Sequence, residues 1–157
     1  MTAQETVARA RAQLETYNSH PSDPAWLDKA LAGIAEDAEF TDVPTGRTLR
    51  GPEGYRQSIL TFTEGFPGSR LEITKAFGTE DEVIIEYVGR GTHKGLLLLH
   101  AGPPIPATGR SAEVRFCNVY QFSNGKVVSV HTYYDLMTFL QQLGLVPTKD
   151  GTLVPIS

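Results

Sequence analysis

Cysteine is almost absent from this sequence, and its scarcity bears on where the protein can work. A single cysteine, Cys117, stands among 157 residues, so no disulfide can form within one chain and no oxidising compartment is needed. Long apolar runs are missing too, because the four leucines at 96–99 are far too few to span a bilayer. The first thirteen residues are polar and lack the apolar core of a secretory signal. We expect a soluble, cytoplasmic protein with no membrane partner.

An excess of positive charge is also missing. Fourteen Lys and Arg residues stand against eighteen Asp and Glu residues, which gives a net charge of −4. A chain of this charge lacks the basic footprint of a nucleic-acid-binding protein. No glycine-rich nucleotide-binding motif, no zinc-type pairing of His or Cys, and no lysine in a Schiff-base setting is visible. We therefore expect neither a metal nor a cofactor.

Helical patterns fill the first half of the chain. Apolar residues recur at helical spacing over roughly 3–18, 24–34 and 52–66, and Asp23 is placed to cap the second helix. Between the second and third helices, residues 38–51 predict a short hairpin around a Pro-Thr-Gly turn.

Strand patterns dominate the second half. Residues 70–93 predict two strands, and 111–134 predict two more around an Asn-Gly dipeptide, which tolerates positive φ. A proline-rich loop at 101–109 follows the leucine run, and we interpret it as a lid or an interface. An amphipathic helix closes the pattern at 135–144. Helices segregated from antiparallel strands predict an α+β domain, in which three helices and one strongly curved sheet would enclose a cone.

The order and spacing of several short motifs resemble one known family. The stretch EDAEFTDVPTGRTLRGPEGYRQ, followed by FPGSRLEI, GTHKG, PATGR, FSNGK and YYDLMTFLQQLG, resembles the SnoaL-like polyketide cyclases, within the wider group with the nuclear-transport-factor-2-like (NTF2-like) fold. The resemblance covers roughly residues 5–146. It implies a single NTF2-like domain over 1–146 and a tail at 147–157. It also implies three helices on a curved, mixed, mostly antiparallel sheet, a short C-terminal helix, a conical pocket, and a homodimer or higher homo-oligomer.

The resemblance assigns the chemistry to Asp135, at the end of the last long strand. In the resembled cyclases an aspartate there removes a proton from a carbon next to a carbonyl, and the carbanion closes a ring by intramolecular aldol addition. An apolar cavity would raise the pKa of such a carboxyl group and make it a better base. Asp135 also precedes a helical pattern directly, where aspartate is a favoured N-cap. Both roles can hold at once, although capping donors would lower the pKa.

Strand alternation adds two residues to Asp135. If the strand runs regularly to its end, His131, Tyr133 and Asp135 project to the same side. We predict that this side is the concave one, where His131 would act with Asp135 in catalysis and Tyr133 would bind a substrate oxygen. The alternative is that both His131 and Tyr133 lie on the convex face, at a dimer contact.

Asp42 is the alternative base. The stretch AEFTDVPTG resembles the ketosteroid isomerase branch of the same fold group, whose base ends the first strand. Tyr17 corresponds there to the tyrosine that donates a hydrogen bond to the developing enolate oxygen. Asp42 is equally a natural turn residue, and Tyr17 also suits a core position. We expect both among the substrate-binding residues, with Phe62 and Tyr120 lining the cone and His93 at its mouth.

These observations predict an acid/base enzyme that needs no cofactor and acts next to a carbonyl group of a hydrophobic, polyketide-like molecule. The leading hypothesis is a SnoaL-like aldol cyclase that uses Asp135. One alternative is a noncatalytic module that binds a small molecule. The other is a ketosteroid-isomerase-like or epoxide-hydrolase-like enzyme that uses Asp42.

Overall fold

A computed structural model describes residues 1–99 and 103–156 of the chain. The helices are α1 (Ala3–Glu15), α2 (Trp26–Ala32), α3 (Gly51–Gly65) and α4 (Leu136–Gln142), with a 3-10 helix at Thr16–Ser19. The strands are β1 (Ile34–Asp42), β2 (Arg47–Arg50), β3 (Arg70–Gly78), β4 (Glu82–Thr92), β5 (Ser111–Ser123), β6 (Lys126–Tyr134), β7 (Leu145–Pro147) and β8 (Leu153–Pro155). Within the described residues, no helix is long and apolar enough to cross a membrane.

Six strands form one curved sheet in the order β2-β1-β6-β5-β4-β3. Strands β1 and β6 run parallel, and the other neighbouring pairs are antiparallel. Register shifts interrupt the β1/β6, β3/β4 and β5/β6 pairs, and irregularities of this kind bend and twist the strands that carry them. The predicted α+β fold, with three helices in the first half and a short C-terminal helix, is confirmed.

Two hydrophobic clusters hold the helices to the sheet. The first packs α1 against the inner face of the sheet through Ala10, Leu14, Phe40, Ile85 and Val127, among others. The second gathers α4, the end of α3 and the loop after β4 through Phe66, Leu97, Val114, Phe139 and Leu143. Burying an apolar side chain of this size contributes roughly 1.5–3 kcal/mol, so the two clusters fix which face of each strand points inward.

The second helix is shorter than the sequence pattern predicts. Helix α2 begins at Trp26, and the residue before it, Ala25, makes no side-chain cap. The prediction that Asp23 caps this helix is wrong, because its carboxylate accepts a hydrogen bond from the Ala25 backbone N–H at 2.9 Å and pairs with Lys29 at 2.7 Å. Asp23 therefore closes the turn that precedes the helix. Ile34, predicted on the helical stripe, instead begins β1.

Backbone hydrogen bonds hold two segments of the loop after β4 next to each other. The backbones of Leu97 and Ile105 exchange two hydrogen bonds, at 3.0 and 2.8 Å. Leu96 and Leu98 flank Leu97 and are exposed, as alternation along an extended segment requires. Residues 100–102, within the proline-rich loop, lie outside the described residues, so its function as a lid or interface stays a prediction.

The last residues form a small hairpin. Strands β7 and β8 pair antiparallel, and Leu145 and Leu153 pack against the second hydrophobic cluster. The predicted domain boundary at residue 146 falls inside β7, so the segment beyond it contributes packing to the domain.

Candidate active site

The sheet and the helices enclose a cavity of about 200 Å³. Its wall is mostly apolar, and side chains from α1, α3, α4 and the inner face of the sheet build it together. Representative apolar lining residues are Leu14, Phe40, Ile59, Phe62, Phe116 and Phe139. Such a concave, mainly apolar space with a few polar groups is typical of a site for a small hydrophobic ligand.

Asp42 is the only carboxylate among the described residues that line this cavity. It ends β1 and precedes the Pro-Thr-Gly turn that the sequence predicts. Its Oδ2 atom accepts a hydrogen bond from Thr45 Oγ1 at 2.7 Å and another from the Tyr134 hydroxyl at 3.1 Å. The turn and the last residue of β6 thus hold the carboxylate in a defined orientation.

Tyr134 is a protonated donor to Asp42. Burial raises the pKa of Tyr134 well above its ordinary range, and the charge of the neighbouring Asp42 carboxylate raises it further. Its ring packs against Phe116 and Phe139, with centroid distances of 5.1 and 6.4 Å. The phenol therefore keeps its proton at neutral pH and is fixed by aromatic packing on two sides.

The strand register places a second polar group on the same face as Asp42. Asp42 is paired with Thr132 between β1 and β6, and Thr132 is paired with Asn118 between β6 and β5. Since neighbouring strands lie about 4.8 Å apart, the backbones of Asp42 and Asn118 are about 10 Å apart. All three side chains line the cavity, so a carboxylate and a carboxamide face one space from positions two strands apart.

Asn118 joins two phenols into a buried hydrogen-bonded chain. The Tyr87 hydroxyl donates to Asn118 Oδ1 at 3.1 Å, and Asn118 Nδ2 donates to the Tyr120 hydroxyl at 3.1 Å. All three residues are buried, and burial raises the pKa of Tyr87 and that of Tyr120. These three hydrogen-bonded side chains are therefore uncharged at neutral pH, and they form a polar patch on a mostly apolar wall.

Tyr17 reaches the cavity from the 3-10 helix after α1. Its hydroxyl shares a short hydrogen bond with the Ser69 hydroxyl, and both residues line the cavity. Burial raises the pKa of Tyr17 to about 12, although the hydrogen bond with Ser69 acts in the opposite direction. Tyr17 is thus a neutral polar group at neutral pH.

The predicted position of Asp135 in the cavity is wrong. Its exposed carboxylate accepts hydrogen bonds from the Thr138 backbone N–H at 3.1 Å and from Thr138 Oγ1 at 2.8 Å. Asp135 is the N-cap of α4, and these hydrogen bonds lower its pKa. The chain turns into α4 directly after β6, so the exposed Asp135 carboxylate accepts hydrogen bonds from the first turn of that helix. Asp135 is not among the residues that line the cavity.

His131 and Tyr133 do share one face of β6, but it is the outer face. Both are exposed, and Thr132 and Tyr134 alternate with them and line the cavity. The prediction that His131 and Tyr133 face the cavity is therefore wrong. Val130 explains which face points inward, because this buried residue belongs to the first hydrophobic cluster. Since side chains alternate along a strand, Thr132 and Tyr134 point inward with Val130, and His131 and Tyr133 point outward.

Four other predicted site residues do line the cavity: Tyr17, Asp42, Phe62 and Tyr120. The predicted position of His93 at the mouth is wrong. His93 is fully buried, stacks on Phe66 with a centroid distance of 5.2 Å, and accepts a hydrogen bond from the Thr108 backbone N–H at 3.2 Å through Nδ1. Burial lowers its pKa, so a neutral imidazole ties the two ends of the long loop together.

Sequence reasoning missed several polar groups of the cavity wall, and Tyr87, Asn118 and Tyr134 are the ones that form its hydrogen-bonded groups with Tyr120 and Asp42. The prediction that His131 and Tyr133 face inward put Tyr134, which alternates with them, on the outer face. Asn118 carries a signal that could have found it, because it is the one amide at an inward position of a strand whose inward residues from 114 to 122 are otherwise apolar or aromatic. Over residues 1–99 and 103–156, no three His, Cys, Asp or Glu side chains are grouped to hold a metal ion.

This architecture has clear relatives among solved structures. A candidate SnoaL-like polyketide cyclase from Jannaschia sp. CCS1 is similar with a TM-score of 0.78 and 16% identity, covering 92% of this chain and 95% of that chain. A candidate polyketide cyclase from Xanthomonas campestris pv. campestris gives a TM-score of 0.70 and 20% identity, covering 90% and 98%. A hypothetical protein from Catenulispora acidiphila with a ketosteroid isomerase-like fold gives 0.67 and 20%, covering 87% and 92%. At these identities the likeness shows the fold alone, which is the ketosteroid-isomerase-like, or NTF2-like, fold.

The family follows from the sequence itself. The family model of the SnoaL-like polyketide cyclases matches residues 10–143, which is most of the chain. The chain belongs to the SnoaL-like polyketide cyclase family, and the resemblance stated from its motifs is confirmed. No curated protein sequence matches it.

Proposed function

We propose that this protein is a cofactor-independent acid/base enzyme that moves a proton at a carbon next to a carbonyl group of a hydrophobic, polyketide-like molecule, with Asp42 as the base. The observation that carries the proposal is the Asp42 carboxylate on the wall of an apolar cavity, oriented by Tyr134 and Thr45. Family membership supports a carbonyl compound as the substrate.

The proposed chemistry begins at the Asp42 carboxylate. Two donated hydrogen bonds stabilise the charged form of a carboxylate, which is the form that accepts a proton. Asp42 takes a proton from the carbon next to the carbonyl, and the negative charge spreads onto the carbonyl oxygen. In a cyclase the carbanion then attacks a second carbonyl carbon of the same molecule, a carbon–carbon bond forms, and the proton returns to the new alkoxide. In an isomerase the proton returns to a different carbon.

Asp135 has no part in this proposal. Its carboxylate is in solvent and is used by the first turn of α4. The proposed base therefore differs from the one that the family resemblance assigns, while the class of reaction remains the same.

The test is hydrogen–deuterium exchange in the two-ring ketone 1-tetralone, whose acidic carbon lies next to its carbonyl group. In D₂O, exchange at that carbon is followed by NMR for the wild type and for Asp42→Asn and Asp135→Asn. We expect Asp42→Asn to lower the enzyme-dependent rate by about 10²–10⁴-fold, as for loss of a general base, and Asp135→Asn to keep it. Loss of exchange in Asp135→Asn alone would overturn the assignment. Binding of the ketone without exchange would favour the noncatalytic binding module.

We also propose that two copies associate through the outer face of the sheet. Ile84, Val119 and His131 form one row across β4, β5 and β6 on this face, and Tyr133 beside them is 44% exposed. An exposed aromatic side chain beside apolar residues on the face of a sheet suits an interface between two protein copies. Light scattering should give the mass of a dimer for the wild type and that of a monomer for Tyr133→Asp, and a monomeric wild type would contradict the proposal.

A further inference from the structure

We infer that the Tyr120 hydroxyl, held by Asn118, donates a hydrogen bond to the carbonyl oxygen of the substrate and so makes the cavity selective for molecules with an oxygen acceptor beside the acidic carbon. This inference rests on the proposed function for the role of Asp42. The binding that it predicts can be measured without turnover, so the two can fail separately.

The carboxamide of Asn118 leaves one phenolic proton unused. A carboxamide presents an acceptor oxygen on one side and a donor nitrogen on the other. Its oxygen accepts a hydrogen bond from the Tyr87 hydroxyl, and its nitrogen donates a hydrogen bond to the oxygen of Tyr120. Tyr120 is therefore an acceptor in this chain, and its own proton is available for another acceptor. If the amide were rotated by 180°, Tyr87 would hold the available proton instead, and it also lines the cavity.

Three other phenols of the wall are already engaged, and the first of them, the Tyr55 hydroxyl, is hydrogen-bonded to Gln13. The Tyr134 hydroxyl donates to Asp42, and the Tyr17 hydroxyl shares its hydrogen bond with Ser69. Among the described residues, the Tyr120 hydroxyl has Asn118 as its hydrogen-bond partner and no acceptor for its own proton. A buried phenol normally finds a partner for its hydroxyl, and a ligand oxygen in the cavity would supply one.

The spacing of the two polar groups suits a carbonyl compound. The backbones of Asp42 and Asn118 are about 10 Å apart across β6, and Tyr120 follows Asn118 on the same face of β5. A carboxylate in contact with a C–H group, the adjoining carbonyl group, and one hydrogen bond from its oxygen together span about 8 Å, given hydrogen bonds near 2.9 Å. Because Asp42 and Tyr120 both line the same cavity, we infer that one small molecule lies between the carboxylate and the hydroxyl.

A donor in this position would act on both binding and rate. The oxygen of a carbonyl becomes more negative as the neighbouring carbon loses its proton, and a fixed donor stabilises that charge in the transition state. Asn118 is a positioning residue here, because it acts on the ligand through the orientation of Tyr120. Tyr87 is one step further away and fixes the orientation of Asn118.

The experiment compares 1-tetralone with tetralin, the hydrocarbon that lacks the carbonyl oxygen. Dissociation constants are measured by NMR titration for the wild type, Tyr120→Phe and a matched tyrosine control, Tyr133→Phe, on the outer face of the sheet. We expect Tyr120→Phe to raise the dissociation constant of the ketone by about five- to tenfold, which corresponds to the loss of one neutral hydrogen bond. The dissociation constant of tetralin should stay unchanged. Tyr133→Phe should change neither constant.

Infrared spectroscopy separates a lost hydrogen bond from a change in packing, because the stretching frequency of the bound carbonyl group responds to the hydrogen bond. A hydrogen bond lowers the stretching frequency of the carbonyl group of bound 1-tetralone, so Tyr120→Phe should return the band to higher frequency. Tyr87→Phe is the second variant if Tyr120→Phe does not fold, and we expect a smaller shift in the same direction. Asp42→Asn should lower the rate of proton exchange by about 10²–10⁴-fold and keep the carbonyl band at its wild-type frequency.

Three results would overturn the inference. These are an equal loss of affinity for the ketone and the hydrocarbon in Tyr120→Phe, no loss for the ketone, and a wild type that does not bind the ketone. A wild type that binds the ketone through Tyr120 but exchanges no proton would remove the proposed function and leave this binding site in place.

Discussion

Asp42 and Asp135 occupy the ends of two neighbouring parallel strands, and their local sequences are alike. Each is followed three residues later by a threonine whose hydroxyl donates to the carboxylate, Thr45 at 2.7 Å and Thr138 at 2.8 Å. They differ in the second donor, which is the Tyr134 phenol for Asp42 and the Thr138 backbone N–H for Asp135. The first carboxylate is thus joined to the cavity wall, and the second to the end of a helix in solvent.

This difference teaches that an aspartate, a threonine and a strand end do not by themselves make a site. The face of the strand decides which groups surround the carboxylate. Tyr134 is itself the neighbour of Asp135 in sequence, yet it points inward and completes the surroundings of Asp42. Variants that remove one donor at a time can therefore separate the two positions.

The largest effect should come from Tyr134→Phe, which removes the inner donor of Asp42. A hydrogen bond to a charged group contributes about 1.5–3 kcal/mol, and a disoriented carboxylate is a poorer base in a fixed site. We expect the rate of exchange in 1-tetralone to fall by about 10- to 100-fold, while Tyr133→Phe keeps the wild-type rate. A rate unchanged by Tyr134→Phe would mean that the phenol does not orient Asp42.

A smaller effect should separate the two threonines. Thr45→Val removes the hydroxyl donor of Asp42 and leaves its phenol donor, so we expect exchange to slow by about three- to tenfold. Thr138→Val makes the same change at Asp135 and should leave the exchange rate within error. Equal loss in both variants would remove the contrast between the two strand ends.

At Asp135 the expected effect is on stability. Asp135→Ala removes the N-cap of α4, and loss of a cap in a chain of this size lowers the melting temperature by roughly 2–4 °C. The exchange rate below that temperature should stay at the wild-type value. Calorimetry of the two proteins checks the shift, and a melting temperature that does not move would show that the cap is not needed.

The smallest effect is the pH dependence of that stability. The folded pKa of Asp135 lies below its ordinary value of 3.8, chiefly because the Thr138 backbone N–H donates to it. The stabilisation is therefore fully present above the unfolded pKa, near pH 4, and is lost as pH falls through the folded pKa. The difference in melting temperature between the wild type and Asp135→Asn should shrink over that range, and a difference that grows on acidification would contradict the sign.

Local patterns predicted the helices, the strands and the hairpin turns, because each depends on spacing within a few residues. Two residues show the limit of local patterns. Asp23, predicted as a helix cap, closes the turn before the helix, and Ile34, predicted on the apolar face of the helix, begins β1. The inward face of β6 was not predictable in the same way. It depends on pairing with β1 and β5, and the contact of Asp42 with Tyr134 joins residues 92 positions apart.

Family resemblance did not correct the prediction of which side chains of β6 face inward. It gave the fold and two residues that line the cavity, Asp42 and Tyr17, but it assigned the base of the leading hypothesis to a position that this chain uses as a helix cap. Asn118 was missed for a different reason: its alternation along β5 marks it as an inward amide, but its partners Tyr120 and Tyr87 come from the same strand and from β4, and the pairing of β4 with β5 is not visible in the local sequence.

The parallel pair of β1 and β6 has a consequence for synthesis on the ribosome. Parallel neighbours need a long connection, and here β1 ends at residue 42 whereas β6 begins at residue 126. A nascent chain carries Asp42 early but lacks β6, the strand that pairs with β1 beside it, until residues 126–134 have been made. Long-range pairing of this kind is slow to form, so we expect the pocket to be completed late in folding, after the apolar inner face of β1 has already been made.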